Sequence, residues 1–342
     1  MIKYGVSDSK LTRTVRDITD DVIDKKLRTS YGITPTHIKR FSRGTENVAW
    51  RIESNAGNII AKLFGGEEST IETVSEEVEL YNYINKKGRP FDIRAPRIVY
   101  DSNDAPVRSV QNFPLILMKY EIARKLFPST ITHDEVTALS KAIAHMHRIL
   151  KNKMKDYKKL DYTNWNLDYN KDAYETLINS PNVKEYSVSE VNQYKQVTAK
   201  IVSCLEKKKY PDELNESLIH SDIAFEHIRV LQDRSFYFFD WTDRQRGPVA
   251  RELSVLLFHA YREGDIDFKR LEELRKWILE GYTKVSKLDY TDIGVIVPFM
   301  FRRCLDEVKY LSNLAIEIGA TVDVSGIRRR YELASRLIQK NK

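Results

Sequence analysis

The stretch LIHSDIAFEHIRVL, residues 218–231, places a histidine and an aspartate directly after an apolar run. His220 and Asp222 are separated by one residue, and a second histidine, His227, follows five positions after the aspartate. Short apolar runs bounded by polar residues are typical of buried strands. The polar residues would then lie where the strand ends, which indicates either a catalytic loop or an ordinary polar turn.

A second acid, Asp240, lies in similar surroundings. It follows four consecutive aromatic residues in FYFFDWTD, eighteen positions after Asp222. This spacing suits a hairpin that places both carboxylates at the same end. Either acid taken alone would more often be an ordinary polar residue at the end of a strand. The pair indicates a catalytic site only if the other residues that such a site needs are also present.

Composition bounds the class of protein. The chain has 342 residues, of which 42% are hydrophobic and 31% are charged. This length and mixture predict a soluble globular chain whose large core is divided between two lobes. The net charge of +7 comes from 56 basic and 49 acidic residues, and the basic runs are short and interspersed with acids. We interpret these runs as solvated faces and expect no nucleic-acid partner.

Cysteine usage and hydropathy indicate a cytoplasmic protein. The two cysteines, Cys204 and Cys304, are a hundred positions apart, which favours neither a disulfide framework nor a thiolate metal site. The amino-terminal stretch has charges where a signal peptide needs an apolar core, and the longest apolar run, 293–301, is too short to cross a bilayer. We therefore expect no membrane partner, and the sequence leaves the oligomeric state open.

Hydrophobic periodicity predicts a small antiparallel sheet followed by a large helical body. A leading helix is expected over 8–30, ended by Gly32. Three short β-rich runs joined by turn-forming residues predict a meander, and an amphipathic helix follows them. The further predicted elements are strands over 36–42, 47–54 and 58–64, a helix over 69–86, strands over 97–102 and 113–120, and a helix over 134–150.

Phosphoryl transfer from a nucleotide needs a loop over the phosphates, a cation on them, a group that orients this cation, oxygen ligands for Mg²⁺, and a carboxylate near the acceptor hydroxyl. Gly44, in the turn between the first two strands, would let the backbone approach phosphate oxygens, although a hairpin glycine is more often a plain turn residue. Lys62 interrupts the apolar run IIAKLF. A lysine at this position either reaches a partner or faces the edge of the sheet.

A carboxylate on the following helix is the expected partner of Lys62. The helix offers four glutamates: Glu72, Glu76, Glu77 and Glu79. Helical geometry favours Glu77, which lies on the flank of the apolar stripe that faces the sheet, three residues after Val74 and four before Tyr81. Glu79 is the second choice, because it lies further from the centre of the stripe.

Taken in chain order, these features resemble the aminoglycoside phosphotransferase and choline kinase superfamily, which are small-molecule kinases with a protein-kinase-like fold. The family's catalytic loop reads His-Gly-Asp-x-x-x-x-Asn, and a metal-binding Asp, often in Asp-Trp, and a Gly-x-x-x-x-Asp-Leu segment follow it. This chain has HSDIAFEH (220–227), FFDWTD (238–243) and GPVAREL (247–253) at those places. The resemblance covers about residues 36–310. It implies an α+β, two-lobed fold, with an amino-terminal lobe over 1–117 and a helical lobe over 118–342.

The resemblance also implies roles for the charged residues. Asp222 would be the catalytic base or the acid that orients the acceptor. Asp240 would be a ligand of Mg²⁺. Lys62 would bind the α- and β-phosphates of ATP, and Glu77 would hold Lys62 in place.

Four further positions would bind the nucleotide if the resemblance holds. The RGTEN turn, which includes Gly44 and Asn47, would lie over the phosphates. The backbone of Met118 and Tyr120 would receive the adenine. Together these residues imply a nucleoside triphosphate, ATP, as the phosphoryl donor.

His227 departs from the pattern, because it stands where the family has the asparagine that helps hold Mg²⁺. Mg²⁺ prefers oxygen ligands, so an imidazole is a poor replacement. Glu226 or Asp243 could supply the missing oxygen, or the site could take Mn²⁺. Alternatively, His227 only hydrogen-bonds the loop, or the chain is a degenerate kinase. Ser221 and Glu252 also replace family residues, although Ser is small and Glu keeps the charge of Asp.

We therefore predict an enzyme that transfers the γ-phosphoryl group of ATP to a hydroxyl of a small molecule. A kinase-like protein that binds nucleotide or partners without turnover is the alternative. Resembling enzymes phosphorylate aminoglycosides, other antibiotics, choline, homoserine or methylthioribose. An aminoglycoside pocket needs a cluster of carboxylates, for which residues 263–273 (EGDIDFKRLEE) are one candidate; an exposed helix start explains the same run.

Overall fold

The structure, a computed structural model, describes residues 15, 17–43, 47–66, 69–160, 187–207, 213–263, 266–317 and 324–340. Its strands, numbered in chain order, are β1 (Pro35–Arg43), β2 (Asn47–Ser54), β3 (Ile59–Phe64), β4 (Ile93–Arg94), β5 (Ile98–Val99), β6 (Val107–Val110), β7 (Phe113–Lys119), β8 (Ala123–Lys125), β9 (Glu216–Ile219), β10 (Ile228–Leu231), β11 (Phe236–Phe238) and β12 (Gln245–Pro248). Its α-helices are α1 (Asp20–Lys26), α2 (Ile71–Gly88), α3 (His133–Leu150), α4 (Val188–Lys207), α5 (Val249–Glu263), α6 (Phe268–Thr283), α7 (Tyr290–Gly294), α8 (Ile296–Glu317) and α9 (Val324–Lys340).

The chain divides into two compact units. The first, which we call the sheet unit, consists of Asp8–Arg124 and Val230–Thr242. The second, the helical unit, consists of the described residues within Lys125–Arg229 and Asp243–Lys342. The lobe boundary expected from the sequence, between residues 117 and 118, stays a prediction.

The sheet unit is built on an antiparallel sheet with the strand order β1-β2-β3-β7-β5, and β6 also pairs with β7. Lys62 in β3 lies opposite Ala49 of β2 and Ile116 of β7. In β3 the side chains alternate between full and partial burial up to Leu63, as expected for a strand with one face in the core. This alternation places Lys62 on the face opposite the buried side chains of Ala61 and Leu63.

Helix α2 carries the glutamates expected to meet Lys62. Its N-cap is Thr70, whose hydroxyl accepts from the backbone N–H of Thr73, and the Thr73 hydroxyl reciprocates toward the backbone N–H of Thr70. This capping box sets the start of the helix. The helix therefore runs two residues later at each end than the predicted 69–86. Its buried stripe contains Val74, Val78, Leu80, Tyr81, Ile84 and also Glu77.

The leading helix is shorter in the described residues than the 8–30 predicted. Helix α1 spans Asp20–Lys26 and continues as a π-helical turn over Leu27–Tyr31. Gly32 ends it with a left-handed backbone, φ 62°, which suits a residue without a Cβ. Val15 is helical, and the rest of the predicted amino-terminal part lies outside the described residues.

The helical unit brings together a short hairpin-like pair and the long helices. Strand β9 pairs antiparallel with β12, with Ile219 opposite Gln245. Helices α3 and α6 pack together closely at Gly281. A Cβ added at this glycine would lie only 2.6 Å from the carbonyl oxygen of Thr137. Strand β9 runs directly into His220, and β12 runs directly into α5. The loop after β9 and the start of α5 therefore lie at opposite ends of this antiparallel strand pair.

The predicted fold class is confirmed: a small antiparallel sheet with one helix precedes a mainly helical body. The strands predicted over 36–42, 47–54 and 58–64 correspond to β1, β2 and β3. Among the described residues, the helices are all too short or too polar to cross a membrane.

Candidate active site

Lys62 and Asp240 form an ion pair within the sheet unit. The Nζ atom of Lys62 donates to Oδ1 of Asp240 at 2.8 Å, and Nζ also lies 3.8 Å from Oε1 of Glu77. The same ammonium lies 4.3 Å from the centroid of the Phe64 ring, a distance typical of a cation–π contact. The cation in the apolar strand is therefore surrounded by two acids and an aromatic face.

Glu77 is the glutamate of α2 that reaches this cluster. Its residue is 1% exposed, whereas Glu72, Glu76 and Glu79 are all exposed. The Tyr81 hydroxyl donates to Oε1 of Glu77, and the Thr242 hydroxyl lies 3.4 Å from Oε2. Burial, followed by the charge of Glu77, raises the pKa of Tyr81. The phenol therefore remains a hydrogen-bond donor that fixes the carboxylate facing Lys62.

Asp240 is presented by a turn with an unusual backbone. It follows β11, which pairs in parallel with β4, and its φ is 67°. Left-handed backbone is uncommon for residues other than glycine and occurs often at functional sites. The Thr242 hydroxyl donates to Oδ1 of Asp240 at 3.2 Å, and the Asp240 side chain is 36% exposed. An acid in this setting can bind a cation without first losing all its contacts.

The four predicted nucleotide-binding positions differ in what the structure shows. Gly44 lies outside the described residues. Asn47 begins β2, where its Oδ1 accepts from the backbone N–H of Gly65 at 3.4 Å. Met118 lies in β7 opposite Ile60.

The backbone N–H of Tyr120 already donates a hydrogen bond within the protein. Its N–H donates to the carbonyl of Asn58 at 3.0 Å, and the guanidinium of Arg51 stacks on its ring at 4.6 Å. Adenine recognition through this N–H would require the bond to Asn58 to be exchanged. The role of Tyr120 therefore stays a prediction, with this bond as a competing interaction.

Asp222 lies in the helical unit, on the loop that follows β9. Its Oδ1 accepts from Nε2 of His259 at 3.1 Å and from Nη2 of Arg303. Burial would raise the pKa of Asp222, but the hydrogen bond from His259 and the charge of Arg303 outweigh burial and hold the pKa below its usual range. Asp222 is therefore ionised at neutral pH.

Glu252 anchors the backbone of the same loop. Its residue is 0% exposed, and its two oxygens accept from the backbone N–H groups of His220 and Ser221, each at 2.9 Å. Burial opposes ionisation of Glu252, but its contact with His147 and the bonds from the loop lower its pKa. Each carboxylate oxygen of Glu252 thus holds one backbone N–H of the loop in place.

Ser221 shows why glycine is common at its position. Its φ is 70°, in the left-handed region that side chains usually avoid. Its hydroxyl accepts from Nε2 of Gln245 at 2.8 Å. The serine side chain thus gains a hydrogen bond that offsets part of the backbone strain.

His227 hydrogen-bonds the loop that it follows. Its Nδ1 lies 2.8 Å from the carbonyl oxygen of Asp222, and its ring stacks on that of His220 at 5.6 Å. Because a carbonyl only accepts, Nδ1 must carry the proton. In the neutral ring Nε2 is then the atom with a lone pair.

Comparison with known proteins identifies the family of the chain. The family model described as the phosphotransferase enzyme family matches residues 37–288, which is most of the chain. The chain belongs to this family. A search of curated proteins finds no match to this phosphotransferase-family member.

Solved structures share the fold of this phosphotransferase. An amicoumacin kinase in complex with AMP-PNP, Ca²⁺ and Ami is 16% identical, with a TM-score of 0.69, and covers 96% of this chain and 95% of its own. A spectinomycin phosphotransferase with ADP and spectinomycin is 15% identical, with a TM-score of 0.68 and coverage of 95% and 94%. Choline kinase LicA from Streptococcus pneumoniae is 15% identical, with a TM-score of 0.61 and coverage of 94% and 99%.

Sequence reasoning missed His259 and Arg303, the two donors to Asp222. His259 lies within the apolar run SVLLFHAY of α5, and Arg303 lies in FMFRRCLDEV of α8. Polar residues within such apolar helical runs signal buried hydrogen bonds. The signal does not say which acid they meet, because that partner lies 37 and 81 positions away.

Proposed function

We propose that this chain transfers the γ-phosphoryl group of ATP to a hydroxyl of a small molecule. The observation that carries the proposal is the cluster of Lys62, Glu77 and Asp240, in which a cation and an acid suited to a metal lie 2.8 Å apart. Neighbours of the same fold were solved with AMP-PNP, ADP or AMP. Family membership and this cluster together favour a metal-dependent nucleotide site over a structural ion pair.

Each residue has a task in the proposed reaction. Phosphoryl transfer passes through a loose transition state, so positioning and charge neutralisation supply most of the rate. Lys62 would exchange Asp240 for the α- and β-phosphates, and Glu77 would keep the ammonium in place. Asp222 would accept a hydrogen bond from the acceptor hydroxyl and align it for attack.

The residues present fit a divalent cation. Mg²⁺ is commonly bound by one or two carboxylates together with substrate phosphates, and Asp240 offers a partly exposed carboxylate. In the proposal Asp240 would be a ligand of the metal, which would neutralise charge on the phosphates, and His227 keeps the ligand role that the resemblance implies. Metal-binding histidines usually donate their other ring N–H to a carbonyl or carboxylate, as His227 does toward Asp222. Nitrogen ligation favours Mn²⁺ over Mg²⁺ at this position.

The described acids of 263–273 have partners that account for them. Asp267 is the N-cap of α6 and accepts from the backbone N–H of Arg270. Glu272 bonds Lys340, and Glu273 pairs with Arg270 at 3.2 Å. The N-cap contact supports the helix-start explanation for Asp267, and ion pairs account for Glu272 and Glu273. We therefore propose an acceptor that is not recognised through these carboxylates.

Transfer of a radioactive γ-phosphate tests the proposal. The purified chain is incubated with labelled ATP, Mg²⁺ or Mn²⁺, and a panel of hydroxyl compounds that includes aminoglycosides, choline and homoserine. We expect label on one class of acceptor, with turnover lowered more than about 100-fold in Asp222→Ala and nucleotide binding retained.

Asp134→Ala is the matched control, because the side chain of Asp134 is fully exposed in the first turn of α3. It should leave turnover unchanged. Equal label transfer in Asp222→Ala and wild type would contradict the assignment of Asp222. Metal-dependent ATP binding without turnover, on the other hand, would favour the degenerate kinase.

A further inference from the structure

Two helices converge on one oxygen of Asp222. His259 from α5 and Arg303 from α8 both donate to Oδ1. Within the part of the chain that the structure describes, Oδ2 of Asp222 has no hydrogen-bond partner. The Asp222 side chain is 29% exposed. The two oxygens of this carboxylate are therefore in different surroundings.

We propose that Arg303 and His259 are positioning residues, which hold Oδ1 of Asp222 so that Oδ2 receives the acceptor hydroxyl. This inference rests on the proposed function, because it assigns the geometry of the same acid. Neither residue touches the acceptor in the proposal. Each acts by fixing the rotation of the carboxylate, which sets the angle at which the hydroxyl meets Oδ2.

Arg303 is itself held by a buried ion network. Its Nε donates to Oε1 of Glu307 at 3.0 Å, and the Glu307 side chain is only 8% exposed. Arg262 donates to both oxygens of Glu307, at 2.9 and 3.0 Å, and Arg330 donates to Oε2 at 2.8 Å. A guanidinium anchored at Nε has little freedom at Nη2. The network therefore fixes the direction from which Nη2 of Arg303 donates to Asp222.

His259 acts as a neutral donor. Burial, followed by the charge of Arg262, lowers the pKa of His259 to about 3. Because a carboxylate only accepts, the proton of the neutral ring lies on Nε2, toward Oδ1. Arg303 thus supplies charge and a hydrogen bond, whereas His259 supplies a hydrogen bond alone.

The arrangement defines how the proton leaves in the proposed reaction. The bond between the acceptor oxygen and the γ-phosphorus forms, the bond from this phosphorus to the bridging oxygen of ADP breaks, and ADP leaves with those electrons. The hydroxyl proton passes by way of Oδ2 to solvent. An Asp222 ionised by its two donors orients the hydroxyl but does not retain the proton, which suits a loose transition state in which the proton leaves late.

A double-mutant cycle of Arg303 and Asp222 tests their contact without depending on turnover. The urea midpoint of unfolding is measured for the full wild-type chain, Asp222→Asn, Arg303→Gln and the double variant. We expect Arg303→Gln to lower the midpoint of the wild type more than it lowers the midpoint of Asp222→Asn, because only the wild type keeps a carboxylate that loses its charged donor.

A neighbouring arginine on the same helix provides the control. Arg302 bonds Asp306 at 2.8 Å, so Arg302→Gln removes the same charge one position away and should lower the midpoints of wild type and Asp222→Asn equally. Arg303→Lys keeps the positive charge but loses the planar guanidinium with its several donors. Its effect should therefore be smaller than that of Arg303→Gln. If Arg303→Gln lowers the midpoints of wild type and Asp222→Asn equally, the proposed role of Arg303 toward Asp222 is overturned.

Kinetics then test the positioning role. Arg303→Gln should lower kcat about 10- to 100-fold while KM for ATP changes less than about twofold. His259→Gln, whose amide can replace the Nε2–H donor, should retain more activity than His259→Leu. An unchanged kcat in Arg303→Gln alongside a coupled loss of stability would overturn the positioning role. A chain that shows this coupling but never transfers phosphate would instead count against the proposed function alone.

Discussion

The ammonium of Lys62 donates to the carboxylate of Asp240 although the two residues are 178 positions apart in the sequence. Both have a second contact that fixes them, Lys62 with Glu77 and Asp240 with Thr242. In the proposed nucleotide complex this pair would separate, so that Lys62 meets phosphate and Asp240 meets the metal. The pair therefore holds both groups in place, and in the proposed complex a nucleotide would replace their contact.

The buried pair of Lys62 and Glu77 predicts a double-mutant result. Lys62→Met leaves Glu77, whose side chain is 2% exposed, without its ammonium, and should lower the free energy of unfolding by about 3 kcal/mol. Lys62→Met/Glu77→Gln should be more stable than Lys62→Met, since no buried charge is left uncompensated. Urea unfolding of the four proteins measures the coupling. Strictly additive losses would show that the two side chains do not interact.

Glu252 predicts a difference between two substitutions of similar size. Its two oxygens each accept one backbone N–H of the loop. Glu252→Gln offers an acceptor to only one of them and turns a donor toward the other, so it should destabilise the chain by about 1 to 3 kcal/mol. Glu252→Asp keeps both acceptors on a shorter side chain and should lose less. Thermal unfolding compares them, and a Gln variant as stable as wild type would contradict the bracing.

His259 predicts a pH dependence of stability. The pKa of His259 is lowered to about 3 in the folded protein, whereas the unfolded chain takes up a proton near pH 6.5. Between these values the unfolded state binds more protons, so His259 makes stability fall as pH falls, by about 2 kcal/mol from pH 6.5 to 5.

Substitution of His259 isolates this contribution. His259→Gln has no titrating ring, so its free energy of unfolding should decline less between pH 6.5 and 5 than that of wild type. Urea unfolding at pH 7, 6 and 5 measures the two slopes. Parallel slopes would mean that the folded protein protonates His259 as readily as the unfolded chain does.

Local patterns predicted much of the fold. The alternating runs and their turn residues located β1, β2 and β3, and the apolar stripe located α2, because these signals lie within a few neighbouring residues. The carboxylate on the flank of that stripe, Glu77, is the glutamate that lies near Lys62. Helical periodicity carries this information directly, since it states which positions share a face.

Long-range contacts could not be predicted in this way. The predicted strand over 97–102 is only the two residues of β5, because strand length depends on the partner strand. The positions of His259 and Arg303 beside Asp222 depend on how α5 and α8 pack. That packing is a tertiary property, which the local apolar pattern does not specify.

Thermal unfolding with ATP tests the central claim, which is that Asp240 helps to bind a nucleotide through a metal. The melting temperature is measured with ATP and EDTA, with ATP and Mg²⁺, and with ATP and Mn²⁺. The variants are Asp240→Asn and the control Asp104→Asn, an exposed acid whose backbone is also left-handed, φ 57°. We predict a rise in wild type and in Asp104→Asn only when metal is present. A rise that needs no metal, or one that persists in Asp240→Asn, would contradict the account.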